Sequence, residues 1–275
     1  MEFKSGDIAS YGVRYHYYRT GQGDPAIVMA HGITDDGLCW TPVAEALSAN
    51  HDVVMVDSRG HGKTEAPEDG YTLRNVSTEL AGVVNGLGIK KPVLMGHSMG
   101  AITVLITAGL FPELPRGVIL EDPPPFWDWQ SETGDDNDHD HDLMQWIHSI
   151  KRMTADELMA QGRAANPNWQ EAEFKPWVDS KQRFSPAATA LLHPADMASI
   201  DIPGLASKIA CPVLLIAADP SCGAASQPRD IETLKGYLPQ LHVVPVKGAG
   251  HNIRRDQYAK YMEIVQEFLA NLLAE

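Results

Sequence analysis

Two rhythms of apolar residues run along the chain. Near the N terminus apolar and polar positions alternate, with Val13, Tyr15 and Tyr17 on one face, and the alternation ends at Thr20-Gly21-Gln22-Gly23-Asp24. An antiparallel strand with one buried face, closed by a turn, reads this way. Beyond it, short apolar runs without alternation appear at Ala26 to Ala30, Val53 to Val56, Val93 to Met95, Val118 to Leu120, Val213 to Ala217 and Val243 to Val246. Such runs predict strands buried on both faces, as in a parallel sheet. Helical patterns lie between them at Thr41 to Ser48, Thr72 to Leu87, Ala101 to Phe111, Arg229 to Leu238 and Asp256 to Leu273. The alternation predicts an α/β fold built from right-handed βαβ units, with a mostly parallel central sheet flanked by helices.

One interval breaks the rhythm. From Pro123 to Ala210 no strand pattern occurs, and the stretch is too long for a plain crossover. It opens with Pro123-Pro124-Pro125, passes through the acidic segment Asp135 to Asp142, and continues as helices separated by Pro167, Pro176, Pro186, Pro194 and Pro203. The expected organisation is therefore a core in two parts, 1–122 and 211–275, with a helical lid over 123–210. The lid holds five of the six tryptophans: Trp127, Trp129, Trp146, Trp169 and Trp177. Aromatics over a catalytic face often line an apolar pocket, but packing a small helical subdomain requires them too, and that is the expectation for most of these.

Composition narrows the setting. The 275 residues suit one large α/β domain with an insertion, and 44% apolar residues suffice for a sizeable core. A net charge of −14 argues against a nucleic-acid groove or an anionic membrane surface, since either would be repelled at long range. Cys39, Cys211 and Cys222 are an odd set without metal spacing, which predicts reduced thiols in a cytoplasmic protein. No apolar run in the sequence is long enough to cross a membrane.

The chemistry centres on Gly96-His97-Ser98-Met99-Gly100, placed between a predicted strand and a predicted helix. A G-x-S-x-G segment in that setting lifts the serine onto a strained turn, and the flanking glycines let two backbones approach closely. The same turn puts the Met99 N–H at a helix N-terminus, aimed where an oxyanion would form. A neutral serine needs a base. His251, in Gly248-Ala249-Gly250-His251-Asn252 after the last predicted strand, is the candidate, since it lies on the same carboxyl edge of the sheet.

The ordered set of motifs resembles the α/β-hydrolase superfamily: His31-Gly32-Ile33-Thr34, Asp57-Ser58-Arg59-Gly60-His61-Gly62, the elbow at Ser98, Glu121-Asp122-Pro123, and Gly250-His251. The resemblance covers the chain except the lid. It implies that the Ile33 N–H joins that of Met99 as an oxyanion donor, and that Arg59 and His61 carry no chemistry. It also implies a triad acid, for which two positions stay open. The commonest site, after the seventh strand, falls on Ser221, which cannot hold an imidazolium; Asp219, two residues earlier, sits about 6 to 7 Å short of it in an extended chain. A subset of the family that includes 2-(acetamidomethylene)succinate hydrolase and the zearalenone lactonases uses a carboxylate after the sixth strand instead. Its spacing of twenty-four residues past the nucleophile is met by Ser98 and Asp122. Asp122 is thus the expected acid and Asp219 the alternative.

The resemblance implies a serine hydrolase that cleaves a carboxylic ester or lactone of a small, apolar molecule. Amide or carbon–carbon bond hydrolysis on the same fold, or a non-enzymatic ligand receptor, are the alternatives. Epoxide hydrolases share the fold but carry aspartate at the elbow, where this chain has Ser98. No cofactor is expected, because neither a G-x-G-x-x-G nor a Walker pattern is present. The run Asp138-His139-Asp140-His141-Asp142 invites a metal, but a flexible acidic loop is a poor cage, so no metal is expected. The expected partner is a small-molecule substrate, with neither nucleic acid nor membrane, and the chain is expected to be a monomer or homodimer.

Overall fold

A computed structural model describes residues 3–125 and 137–274, with side chains described outside 137–142. Eight strands form one sheet: β1 (Lys4–Ser10), β2 (Val13–Arg19), β3 (Ile27–Ala30), β4 (Val53–Val56), β5 (Val93–His97), β6 (Gly117–Glu121), β7 (Val213–Ala217) and β8 (Leu241–Pro245). Their order is β1-β2-β4-β3-β5-β6-β7-β8. β2 pairs antiparallel with β1 and β4; every other pairing is parallel. β3 to β7 are buried at every position, which is why their sequences are unbroken apolar runs. β1 was not legible in the sequence. It is an edge strand, largely exposed, whose only large apolar residue is Ile8.

Successive side chains of the inner strands point to opposite faces and feed two cores. Val28, Val54, Leu94, Val118 and Leu215 face α2 (Leu73–Gly86), α3 (Met99–Leu110) and the helical interval, after α1 (Thr41–Leu47) in chain order; Ile27, Met55, Met95, Ile119 and Ile216 face α1 and the C-terminal helix. The helical interval comprises α4 (Asn137–Ile150), α5 (Ala155–Ala165), α6 (Glu171–Arg183), α7 (Pro194–Ala198) and α8 (Ile202–Ala206). Among the described residues it contains no strand. α9 (Pro228–Tyr237), α10 (Ile253–Asp256) and α11 (Tyr258–Ala274) complete the chain.

Two details differ from the sequence expectation. Pro176 does not separate helices but lies inside α6, where it deletes one backbone bond. The helix persists because Glu173, Phe174, Trp177, Val178, Ser180 and Lys181 bury its inner face. The long C-terminal helix is preceded by the separate turn of α10, which packs Ile253, Arg254 and Arg255 inward.

Candidate active site

Register places the site. Ala30 pairs with Gly96 and His97 with Glu121, so the segments leaving β3, β5 and β6 emerge side by side at the carboxyl edge. Ser98 sits in the bend at φ 55, a conformation costly for any residue with a side chain, and its N–H donates to the Glu121 carbonyl at 3.0 Å. The flanking glycines are required by contact: a Cβ on Gly96 would overlap the Gly100 carbonyl, and one on Gly100 the Ala30 carbonyl. Met99 opens α3, and neither its N–H nor that of Ile33 has a protein acceptor among the described residues. Two buried histidines brace the Ile33 loop. His31 Nδ1 donates to the Gly32 carbonyl while its Nε2 accepts from Ser58 N–H at 3.0 Å, and His61 Nδ1 donates to the Arg59 carbonyl at 2.9 Å. Burial holds both rings below the ordinary imidazole value, His61 at about 3, so both are neutral supports.

His251 Nδ1 donates to Asp122 Oδ2 at 2.7 Å. That bond fixes the tautomer and leaves the Nε2 lone pair as the basic site. Asp122 is fully buried at φ 40, and its carboxylate also accepts the N–H groups of Ala225 at 2.8 Å and Ser226 at 3.3 Å. Ser226 Oγ closes this turn by donating to the Pro123 carbonyl. Sequence reasoning missed the Ala225-Ser226 turn, since backbone donors leave no side-chain signature. Asp219 is engaged elsewhere: it accepts from Gly248 N–H at 2.9 Å and from Ser221 N–H and Oγ at 3.0 and 2.7 Å. Those bonds, led by Gly248, hold its carboxyl below the usual range. Among the described residues no hydrogen bond joins Ser98 Oγ to the His251 ring. Such a contact is commonly long before substrate binds.

Around these groups runs a buried ionic network that the sequence did not reveal. Asp35, two residues past Ile33, accepts from Lys181 of α6 at 2.5 Å and from Arg254 and Arg255 of α10 at 3.2 and 3.0 Å. Burial alone would raise its pKa, but Arg255, Lys181 and Arg254 together hold it well below the carboxylate range. Arg254 also binds Glu121, Arg255 binds Glu173 of α6, and Arg183 of α6 binds Asp36. Trp169 Nε1 donates to Asp256 at 2.7 Å, and the same carboxylate accepts from Gly250 N–H at 2.8 Å. The network thus ties α6 to both the Ile33 loop and the His251 loop. The adjacent acids Asp35-Asp36 and the adjacent arginines Arg254-Arg255 were the available signal.

Trp169 and Trp177 are buried and pack on each other at 6.3 Å with Phe174 alongside, as core aromatics. Trp127 and Trp129, and the side chains of the Asp138 to Asp142 run, lie outside the described residues. No helix among the described residues is long and apolar enough to cross a membrane. The assembled groups are a hydroxyl at the carboxyl edge of the sheet, an imidazole with a fixed tautomer, a buried carboxylate and two unclaimed N–H donors, a set suited to acyl transfer.

The profile of the alpha/beta hydrolase family matches residues 27–263. N-formylmaleamate deformylase of Pseudomonas putida is 27% identical over 269 residues, 96% of this chain and 96% of that protein. An epoxide hydrolase of Caballeronia sordidicola is 36% identical over 101 residues, 36% of this chain and 30% of the relative. The crystal structure of E-2-(acetamidomethylene)succinate hydrolase matches in fold with a TM-score of 0.81 at 22% identity, over 98% of this chain and 100% of that one. The chain belongs to the alpha/beta hydrolase family.

Proposed function

We propose that the protein is a serine hydrolase that cleaves a carbonyl–heteroatom bond of a small molecule through an acyl-enzyme on Ser98. The observation that carries this reading is the 2.7 Å bond from His251 Nδ1 to buried Asp122, which leaves Nε2 as the basic nitrogen of a ring carried by a loop at the same sheet edge as Ser98. The substrate carbonyl oxygen rests against the N–H groups of Ile33 and Met99, each worth roughly 3 kcal/mol to the transition state. Ser98 Oγ attacks the carbonyl carbon as His251 Nε2 takes its proton. The tetrahedral species then collapses, and the same proton passes to the leaving oxygen or nitrogen. Water repeats the sequence on the acyl-enzyme, and Asp122 stabilises the imidazolium in both halves. No cofactor takes part. The helical interval 123–210 acts as a lid, a role supported by the contacts of α6 with the Ile33 and His251 loops.

Esters and lactones are the first reading. A short N-acyl amide is the second, favoured by the 27% identity with a deformylase whose name records removal of a formyl group from nitrogen. The epoxide hydrolase likeness supports hydrolysis in general, but a serine nucleophile favours an acyl intermediate over the alkyl ester that an elbow aspartate forms. A panel of short-chain esters, lactones and N-acyl amides tests the proposal. Turnover of one class by the wild type and none by Ser98→Ala is expected; equal turnover by both proteins overturns it.

A further inference from the structure

His97 ends β5 immediately before Ser98 and is 4% exposed. Strand alternation sends its side chain to the same face as Met95, the face lined by Ile253 and Tyr261 next to the His251 loop. Its Nε2 lies 3.0 Å from the His251 carbonyl oxygen, so this nitrogen carries the hydrogen and donates it. Nδ1 is then a bare lone pair, and it is buried without a partner. The two rings stand 4.7 Å apart, centroid to centroid. On its other side His97 meets the Ile33 loop, since a Cβ on Gly32 would come within 2.9 Å of Nδ1.

We infer that His97 is a positioning residue for His251: its Nε2–H clamps the backbone of the base, and its uncharged ring fills the space beside the imidazole. This rests on the reading of Ser98 and His251 given above. The carbonyl that His97 holds belongs to the base residue itself, so the clamp fixes the origin of the His251 side chain, while Asp122 fixes its ring. A displacement of about 1 Å at a reacting group costs about a hundredfold in rate. Neutrality matters equally. A second cation 4.7 Å from the ring would oppose formation of the imidazolium. Burial first, then Arg254 and His251, holds His97 well below the ordinary imidazole value and prevents that.

Three variants separate a clamp from a mere space-filler. Glutamine can present an N–H near the position of Nε2, asparagine only near that of Nδ1, and phenylalanine none. With p-nitrophenyl acetate as probe, and fluorophosphonate labelling of Ser98 as a second readout, His97→Phe and His97→Asn are expected to lower kcat by up to about a hundredfold. KM should stay near the wild-type value, and His97→Gln should recover most of the rate. The low-field proton on His251 Nδ1 should be retained in His97→Gln and broadened in His97→Phe. If His97→Phe matches the wild type in kcat and labelling rate, or if all three variants fall equally, the clamp is refuted. Ser98→Ala run alongside distinguishes the two failures: activity surviving there condemns the acyl-enzyme reading itself.

Discussion

At the scale of single residues, the question is which carboxylate serves the base. Asp122 gives one oxygen to His251 and takes two backbone N–H groups, whereas both oxygens of Asp219 are occupied within its own loop and with Gly248. Removing the charge at Asp122 leaves the imidazolium unsupported and frees the wrong tautomer, so Asp122→Asn should lower kcat by about 10³ to 10⁴. Asp219→Asn should change it less than about tenfold, with the loss confined to loop order. Steady-state kinetics on any ester the wild type cleaves checks the ranking, and the opposite order would transfer the role to Asp219. Ser98 and His251 could be picked out because glycines and strand ends mark their turns, and Asp122 because a subset of the family that the chain resembles carries a carboxylate twenty-four residues past its nucleophile, with Asp219 left open as the alternative. His97 was hidden, since its partner is a backbone carbonyl 154 positions away.

At the scale of elements, one carboxylate joins three segments. Asp35 compensates Lys181, Arg254 and Arg255, all of them buried. Deleting it strands Lys181 and leaves Arg254 and Arg255 one carboxylate each, Glu121 and Glu173, in a low-dielectric interior, which should cost about 3 to 5 kcal/mol. Deleting Lys181 leaves Asp35 with two arginines and α6 with its other ties through Arg183 and Trp169. Asp35→Ala is therefore expected to lower the denaturation midpoint well beyond Lys181→Met in urea titrations. Equal losses would mean that the three cations are satisfied elsewhere. This layer was illegible in advance for a physical reason: the cations of α6 read singly from a sequence look like solvated surface charge, and only the packing of α6 against the Ile33 loop turns them inward. By contrast the inner strands were plain, because residues buried on both faces of a sheet admit no polar interruptions. Edge strand β1, under no such constraint, gave no pattern to read.

At the scale of the whole molecule, the buried titratable groups set how stability responds to acid. His31, His61 and His97 are held neutral by burial, so below about pH 6.5 the unfolded chain binds three protons that the folded chain refuses. Asp57 acts in the opposite sense. Burial and the neighbouring Asp36 raise it to about 7, so between about pH 4 and that value the folded state holds one proton that the unfolded state releases. Glu121, raised by burial, acts in the same sense as Asp57, so three histidines stand against two carboxyls; unfolding takes up protons on balance, and stability should fall on acidification from pH 6 to 5. Urea midpoints across that range check the sign, and a midpoint that is flat or rises towards acid contradicts it. All of this scaffolding converges on one hydroxyl. The most direct test is the intact mass of the whole protein quenched during turnover of p-nitrophenyl acetate. The account predicts an adduct with the mass of one acetyl group, mapped to the peptide bearing Ser98 and absent from Ser98→Ala; an adduct that persists in Ser98→Ala, or hydrolysis that proceeds with none on Ser98, would contradict it.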